Sequence, residues 1–203
     1  MGGPGPAGDR VAGVSGRTHV VAVDATGRSA DLVRAIARRL QASGSAVTCL
    51  TGGQESALER AFDDALDCAD GLDGLVVGVT LDGTRRRLLE TSVAEWERAH
   101  RDALRGAFLA LRRGLREILA SGRGGRAILA IEAPRERATA GALALETALV
   151  SLVRALAVEY GRRSILCNGV LVDGPEAHLD ALVFLVSGEA SFVNGEVLDL
   201  RLA

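Results

Sequence analysis

The sequence predicts an α/β domain in which about six parallel strands form a doubly wound, three-layer sheet with helices on both faces. From Thr18 onward, short β-branched runs alternate with longer amphipathic stretches, which is typical of strands buried on both faces of a parallel sheet. The 203 residues are 48% apolar, so the chain can bury a full core and is not disordered. We therefore expect a single domain over residues 18–203.

Each element has its own sequence signal. Strands are predicted where β-branched and apolar residues cluster, at 18–24, 46–50, 74–80, 126–132, 164–172 and 196–201. Helices are predicted where apolar residues recur at helical spacing, at 30–43, 54–69, 92–121, 138–161 and 178–188. Residues 1–17 combine Gly, Pro and Ser with few apolar side chains, so we expect a flexible leader there.

Two of the predicted helices carry apolar stripes that are wider than one sheet contact needs. Helix 92–121, which begins with a capping box at Ser92 and Glu95, and helix 138–161 also carry small residues that would let a partner helix approach. The predicted interface residues are Leu104, Phe108, Leu111, Leu115, Leu145, Leu149, Leu152 and Leu156, and the small residues are Ala103, Gly106, Ala148 and Ala155. The alternative is that both helices are simply well buried in their own domain.

Composition restricts the possible partners and chemistry. The 26 acidic and 24 basic residues give a net charge of −2, which offers no electrostatic basis for binding nucleic acid or an anionic membrane. No apolar run is long enough for a membrane span. Three scattered cysteines and three scattered histidines predict no metal site and a reducing, cytoplasmic location. Every basic residue is arginine, so lysine chemistry within this chain is impossible.

Several motifs resemble, in the same order, those of the short-chain dehydrogenase/reductase family. Thr26 and Gly27 follow the first predicted strand, where the family reads TGxxxGxG. Further resemblances lie at 72–77, 96–109, 148–159, 165–170 and 184–198, and they cover almost the whole chain after the leader. The resemblance implies a Rossmann-like fold and an oxidoreductase that uses NAD or NADP.

The family's catalytic positions carry other residue types in this sequence. The resemblance places Ala142 at the catalytic tyrosine, Glu146 at the lysine, Ala103 at the asparagine, and Glu132 or Ala133 at the serine. In the family, the tyrosine transfers a proton and the lysine lowers the pKa of that tyrosine. Neither alanine nor glutamate can take these roles, so we expect no catalytic residue in this chain.

The resemblance also implies a degenerate cofactor turn. After Thr26 and Gly27, the family's second and third glycines are replaced by Asp31 and Val33. A carboxylate about 4 Å from a phosphate would repel it by about 1 to 4 kcal/mol, and valine adds bulk where close helix packing is needed. We therefore expect no cofactor in this chain, with NAD or NADP bound only by an active partner.

Two shortenings accompany these changes. One strand-helix unit is missing between the strands at 46–50 and 74–80, and the substrate lid is missing after the strand at 164–172. Because pocket features are lost while the family's oligomerising helices remain, the leading hypothesis is a non-catalytic subunit. It would assemble with a catalytically competent short-chain dehydrogenase/reductase paralogue, as a heterodimer or heterotetramer, in bacterial secondary metabolism.

Two other functions stay open at this point. The first is a homodimeric ligand-binding or regulatory protein with a remodelled pocket. The second is an enzyme whose chemistry has moved to other carboxylates, with Asp24, Glu132 and Glu146 as the candidates. A neighbouring reading frame that encodes a tyrosine- and lysine-bearing paralogue would favour the subunit hypothesis over both.

Overall fold

A computed structural model describes residues 18–67, 69, 71–81, 86–133, 139–175 and 179–201, and the predicted leader at 1–17 lies outside the described residues. Six parallel strands form one sheet in the order β2-β1-β3-β4-β5-β6. The strands are β1 (His19–Asp24), β2 (Ala46–Thr51), β3 (Gly74–Thr80), β4 (Gly125–Glu132), β5 (Ile165–Val172) and β6 (Val197–Asp199). The predicted six-stranded parallel sheet is confirmed.

Helices cover both faces of this sheet, as the alternating pattern predicts. They are α1 (Ala30–Ala42), α2 (Glu55–Leu66), α3 (Val93–His100), α4 (Gly106–Ser121), α5 (Ala140–Tyr160) and α6 (Asp180–Val186). Successive side chains along each strand enter the core on opposite faces of the sheet. Val21 and Val23 of β1 pack on the side of α2, α4 and α5, whereas Val20 and Ala22 pack on the side of α1 and α6. This alternation follows from the two-residue period of a strand.

The predicted helix 92–121 is helical from Val93 to Ser121, but it is not α-helical throughout. A π-helical segment, Arg101–Arg105, separates α3 from α4. Immediately after it, Gly106 lies so close to the carbonyl oxygen of Ala25 that any Cβ at this position would collide with it. Extra residues inserted into a helix as a π-bulge shift its register, and here the glycine lets the helix approach the end of β1. The predicted capping box of Ser92 and Glu95 is confirmed at the start of α3.

The shortened topology is also confirmed. Only α2 lies between β2 and β3, and β2 is an edge strand beside β1. Between β5 and α6 the chain has only residues 173–179, of which 176–178 lie outside the described residues. The carboxyl edge of the sheet, where ligands bind in open α/β folds, is therefore bordered by short connections.

Helix α5 is apolar on nearly all of its surface. Its sequence is long and apolar enough to cross a membrane by length and composition alone, with a mean hydropathy of 1.7. In the fold, however, one face of α5 packs on the sheet through Leu145, Leu149 and Val153, which are buried. The opposite face is solvent-exposed and includes Leu143 and Val158. A helix that is apolar all round usually has a second packing partner.

Candidate functional site

The turn between β1 and α1 lies at the carboxyl edge of the sheet. Gly27 occupies this turn with a φ of +72°, and a Cβ built on it would meet nothing within 4 Å. The glycine therefore serves the left-handed conformation and leaves open space above the turn. Helix α1 begins three residues later, so its N-terminus, with its partial positive charge, points toward this space.

The carboxylate of Asp24, the last residue of β1, is hydrogen-bonded to the backbone of the β1–α1 turn. One oxygen of its carboxylate, Oδ1, accepts hydrogen bonds from the backbone N–H of Thr26 at 3.2 Å and of Ser29 at 3.0 Å. The other oxygen, Oδ2, is buried and has no hydrogen-bond partner among the described residues. The aspartate thus places a buried negative charge at the N-terminus of α1, where the helix dipole stabilises an anion.

A chain of hydroxyl groups leads from this turn to Glu132. The hydroxyls of Thr26 and Ser29 are 2.9 Å apart, and the Thr80 hydroxyl is 3.2 Å from that of Ser29. Thr80 also donates to Oε2 of Glu132 at 2.7 Å. Since Thr80 and Glu132 are register partners at the ends of β3 and β4, the sheet itself brings these groups together. Ser29 and Thr80 were not among the predicted site residues, although Thr80 ends a buried strand at this edge.

Glu146 lies on α5, on the other side of the sheet, and is paired with Arg201. Nη1 of Arg201 donates to Oε2 of Glu146 at 2.8 Å, and Nη2 donates to Oε1 at 3.2 Å. Arg201 also donates to the carbonyl oxygen of Ala133 and to Asp199. Arg201 was not among the predicted site residues, because it lies 55 residues from Glu146 and only the β5–β6 pairing brings it there.

The three carboxylates proposed for relocated chemistry do not converge. Asp24 and Glu132 belong to the network on the α1 side, whereas Glu146 is held by Arg201 on the α5 side. Hydrogen bonds in the described part of the chain do not join the two groups. No set of three His, Cys, Asp or Glu side chains that could hold a metal ion occurs among the described residues either.

The alanines that the sequence resemblance places at the family's catalytic positions have structural surroundings in this fold. Ala103 is buried in the π-helical segment. Ala142 lies in the first turn of α5, where its backbone N–H donates to the Thr139 hydroxyl at 3.3 Å. Ala133 is buried, and its N–H donates to the carbonyl oxygen of Val172. Methyl groups at these positions carry no exchangeable proton.

The two residues that replace glycines after the turn differ in their surroundings. Asp31 is exposed on the first turn of α1 and pairs with Arg34. Val33 is buried, and a Cβ on Gly78 would lie only 2.7 Å from its Cγ2 atom. The bulk of Val33 is thus accommodated by a glycine on β3, so the close packing of α1 on the sheet is kept.

Half of the residues predicted for an interface face inward instead. Leu111, Leu115, Leu145 and Leu149 belong to the chain's own core. The physical reason is that α4 and α5 each lie across the sheet, so these leucines cover strands β3 to β5. Of the others, Leu104, Leu152 and Leu156 are partly buried, and only Phe108 is well exposed.

The small residues follow the same division. Ala103 is buried and Gly106 packs on the β1–α1 turn, so neither serves a partner helix. Ala148 is half-buried and Ala155 is exposed on α5. The exposed part of the predicted interface is therefore Phe108 on α4 and the outer face of α5.

Comparisons with known proteins agree with this fold. A family model described as Enoyl-(Acyl carrier protein) reductase matches residues 15–175. The chain is 24% identical to the 3-oxoacyl-[acyl-carrier-protein] reductase FabG of Aquifex aeolicus (strain VF5), over 87% of this chain and 84% of that protein.

Solved structures are similar over nearly the whole chain. The 3-ketoacyl-(acyl-carrier-protein) reductase from Brucella melitensis, complexed with NADH, has a TM-score of 0.77 at 16% identity and covers 91% of this chain and 96% of its own. Carveol dehydrogenase from Mycobacterium avium, in complex with NAD, has a TM-score of 0.73 at 19% identity and covers 93% and 97%.

These comparisons correct one prediction from the sequence. The expectation that this chain has no cofactor is wrong, because proteins with the same fold over nine tenths of its length are complexes with NADH and NAD. The physical reason is that Gly27, with a φ of +72°, leaves open space at the N-terminus of α1 that suits a phosphate, although Asp31 and Val33 stand at the other two glycine positions of the resemblance. Since the matching family model spans residues 15–175 and the six-stranded sheet has the fold of these reductases, the chain belongs to the short-chain dehydrogenase/reductase family.

Proposed function

We propose that this chain is a non-catalytic subunit of an NAD(P)-dependent oxidoreductase, assembled with a catalytically competent paralogue of the same family. The observation that carries the proposal is the Glu146–Arg201 ion pair at the position that the family resemblance assigns to the catalytic lysine. There, Glu146 is held by Arg201, and Ala142 one turn earlier offers no phenol. A setting in bacterial secondary metabolism and the cytoplasm stays a prediction.

The backbone of the β1–α1 turn suits the phosphates of a dinucleotide. The open space above Gly27 and the N-terminus of α1 suit a phosphate. Thr26, Gly27 and Arg28 would hold the phosphates, and the dinucleotide would supply hydride-transfer chemistry to the assembly. Asp24 competes for this place, because its carboxylate already accepts from the N–H groups of Thr26 and Ser29. We therefore propose that the turn binds NAD(P) with an affinity that Asp24 lowers.

The outer face of α5 supports assembly with another chain. Leu143 and Val158 are 49% and 84% exposed, and four of the five exposed residues between them are small, namely Ala144, Thr147, Ser151 and Ala155. Exposed contiguous apolar surface on a soluble fold marks an interaction site. Small side chains between larger apolar ones let a second helix approach closely.

The alternative function is a homodimeric ligand-binding or regulatory protein. One observation favours it, namely the open turn at Gly27 in a chain that has alanine and glutamate where the resemblance places the catalytic tyrosine and lysine. The two functions differ in what they require. The alternative needs no paralogue, whereas the subunit needs one for any turnover.

Hydride transfer is the measurement that tests the proposal. We expect the isolated chain, given NADH or NADPH and a panel of ketones, to show no turnover, whereas the assembly purified with its paralogue oxidises the cofactor. The control is the paralogue carrying a substitution of its own catalytic tyrosine, which should abolish turnover of the assembly. Turnover by the isolated chain would refute the proposal.

A further inference from the structure

Strand β2 forms one edge of the sheet, and among the described residues no strand pairs with its outer side. The missing strand-helix unit leaves β2 in this position. We infer that β2 pairs with β2 of a second copy of this chain, antiparallel and related by a two-fold axis, so that two six-stranded sheets join edge to edge. This inference goes beyond the proposed function. In the proposed assembly, the pairing would join two heterodimers into a heterotetramer.

The outward backbone groups of β2 carry this inference. The N–H groups of Ala46 and Gly52 donate to carbonyl oxygens on the β1 side, at 2.9 and 2.6 Å. Because the backbone groups of successive residues in a strand point to opposite edges, the N–H and C=O groups of Val47, Cys49 and Thr51 point away from the sheet. These groups have no hydrogen-bond partner in the described part of the chain. Another extended backbone offers donors and acceptors at the matching spacing.

Strand β2 also lacks the features that usually keep an edge strand from pairing. Its six residues include no charged residue and no proline, and Cys49 and Thr51 are exposed. The opposite edge strand, β6, has only three residues, and Asp199 pairs there with Arg201. Short length and charge protect an edge from pairing. Because the two edges differ, pairing through β2 closes after two copies and does not continue into a fibre.

The outward groups of β2 match themselves around Cys49. With the two-fold axis beside this residue, Cys49 faces Cys49 of the second copy, and Val47 faces Thr51. Each facing pair exchanges two N–H···O hydrogen bonds, so every outward group of both strands gains a partner. A register shifted by two residues leaves either Val47 or Thr51 facing a residue outside β2. The geometry therefore selects a single register.

The charges on α1 are compatible with this pairing. Burial raises the pKa of the Cys49 thiol and the guanidinium of Arg34 opposes this effect, which places Arg34 near Cys49. Asp31 pairs with Arg34 on the same helix. In the two-fold pair the two α1 helices run antiparallel, so the acidic first turn of one lies toward the basic last turn of the other. The two copies are thus complementary in charge along α1.

The self-association of the isolated, full-length chain under reducing conditions tests the inference. Cys49→Lys places two ammonium groups opposite each other at the axis, so it should raise the dissociation constant of the β2 pair by about tenfold or more. Cys49→Ser is the matched control and should leave the dissociation constant unchanged. Sedimentation equilibrium measures this constant, and circular dichroism checks that each variant is folded. A wild-type chain that does not self-associate, or association that Cys49→Lys leaves unchanged, would overturn the inference.

Disulfide formation tests the register. Facing residues in a hydrogen-bonded antiparallel pair have Cα atoms about 5.5 Å apart, which suits a disulfide. With diamide as the oxidant, a Cys68→Ser chain should therefore form covalent dimers through Cys49, since Cys167 is buried. The control adds Cys49→Ser and Thr51→Cys, which moves the exposed thiol along the same face of β2 to a point about 14 Å from its counterpart, and should not form dimers.

Equal amounts of covalent dimer from the two proteins, or none from either, would show that β2 does not pair in this way. The results of both tests are separate from the proposed function, because the hydride-transfer assay of the isolated chain and of the assembly does not depend on whether β2 pairs.

Discussion

Arg201 and Glu146 form a two-point ion pair, with N–O distances of 2.8 and 3.2 Å, that ties the end of the chain to α5. Both side chains are largely buried, at 10% and 16% exposure. Hydrogen bonds to Asp199, and then to Glu146, raise the pKa of Arg201 above its ordinary value, against the opposing effect of burial. The guanidinium is therefore charged throughout the pH range in which the protein folds.

Removing either partner of this pair should destabilise the fold. We expect Arg201→Met and Glu146→Met each to lower the free energy of unfolding by about 1 to 3 kcal/mol, because the first leaves the mostly buried Glu146 without this partner and the second leaves Arg201 with Asp199 alone. The double variant should cost less than the two single variants together, since it leaves neither charge behind. Urea unfolding of the four proteins measures this coupling.

The exposed pair of Asp31 and Arg34 provides the control for that cycle. Removing it should change stability by less than about 0.5 kcal/mol, as is usual for solvent-exposed pairs on one helix. Additive effects of Arg201→Met and Glu146→Met would show that the two side chains do not stabilise each other.

Restoring the family's catalytic residue types should not create an enzyme. We expect Ala142→Tyr with Glu146→Lys to show no reduction of a generic ketone with NADPH, because Lys at 146 would face Arg201 and Glu132 is engaged by Thr80. Adding Arg201→Met removes the repulsion and so separates a folding defect from missing chemistry. Measurable NADPH oxidation by either variant would mean that the loss of function is local.

The sequence was sufficient for the sheet and for the family, but not for the details of the site. Periodicity located all six strands because parallel strands are continuous apolar runs, as in Gly74–Thr80. It could not separate a sheet-facing leucine such as Leu111 from a partner-facing one, because both follow the same helical spacing. Arg201 was missed since its partner, Glu146, is distant in sequence.

The cofactor turn is a second place where residue types alone did not predict the arrangement of the site. Residue identities at 31 and 33 predicted that no dinucleotide binds, yet Val33 is accommodated by Gly78 and Asp31 points to solvent. The residue that does enter the turn is Asp24, whose carboxylate binds the N–H groups of Thr26 and Ser29. The three-dimensional structure, and not the residue type, shows that Asp24 enters the turn while Asp31 does not.

Asp24→Asn should strengthen dinucleotide binding. The asparagine oxygen can still accept from Thr26 and Ser29, but the negative charge next to the phosphates is removed, which is worth about 1 kcal/mol or more at about 4 Å. We expect the dissociation constant for NADH or NADPH, measured by calorimetric titration, to fall by about fivefold or more. Asp31→Asn is the matched control and should have a much smaller effect, because Asp31 is exposed. Weaker binding by Asp24→Asn than by the wild type would contradict this role.

Substitutions on the outer face of α5 should separate assembly from folding. We expect Val158→Arg and Leu143→Arg to leave the thermal midpoint within a few degrees of the wild type, because both side chains are exposed, and to abolish co-purification with the paralogue. Val93→Arg, at a valine on α3 that is 74% exposed, is the control and should keep the complex. Leu111→Arg should instead unfold the chain, since Leu111 lies in the core. A complex that survives both α5 substitutions would rule out this face as the interface.

The capping box of α3 should make a pH-dependent contribution to stability. The backbone hydrogen bond from Ser92, and then its side-chain hydrogen bond, lower the pKa of Glu95. A lowered pKa in the folded state means that the contribution is present above the ordinary glutamate pKa of about 4.3 and is lost as the pH falls through the lower folded value. The difference in thermal midpoint between the wild type and Glu95→Gln should therefore be present at pH 7 and shrink below about pH 4. A difference that does not change with pH would contradict this role of the carboxylate.

Native mass spectrometry of the chain purified from the cells that produce it tests the central claim most directly. The proposed function predicts a hetero-oligomer in which the 21.1 kDa chain is joined to a paralogue that carries the family's catalytic tyrosine and lysine. A homo-oligomer built only from 21.1 kDa subunits, with no paralogue bound, would contradict it.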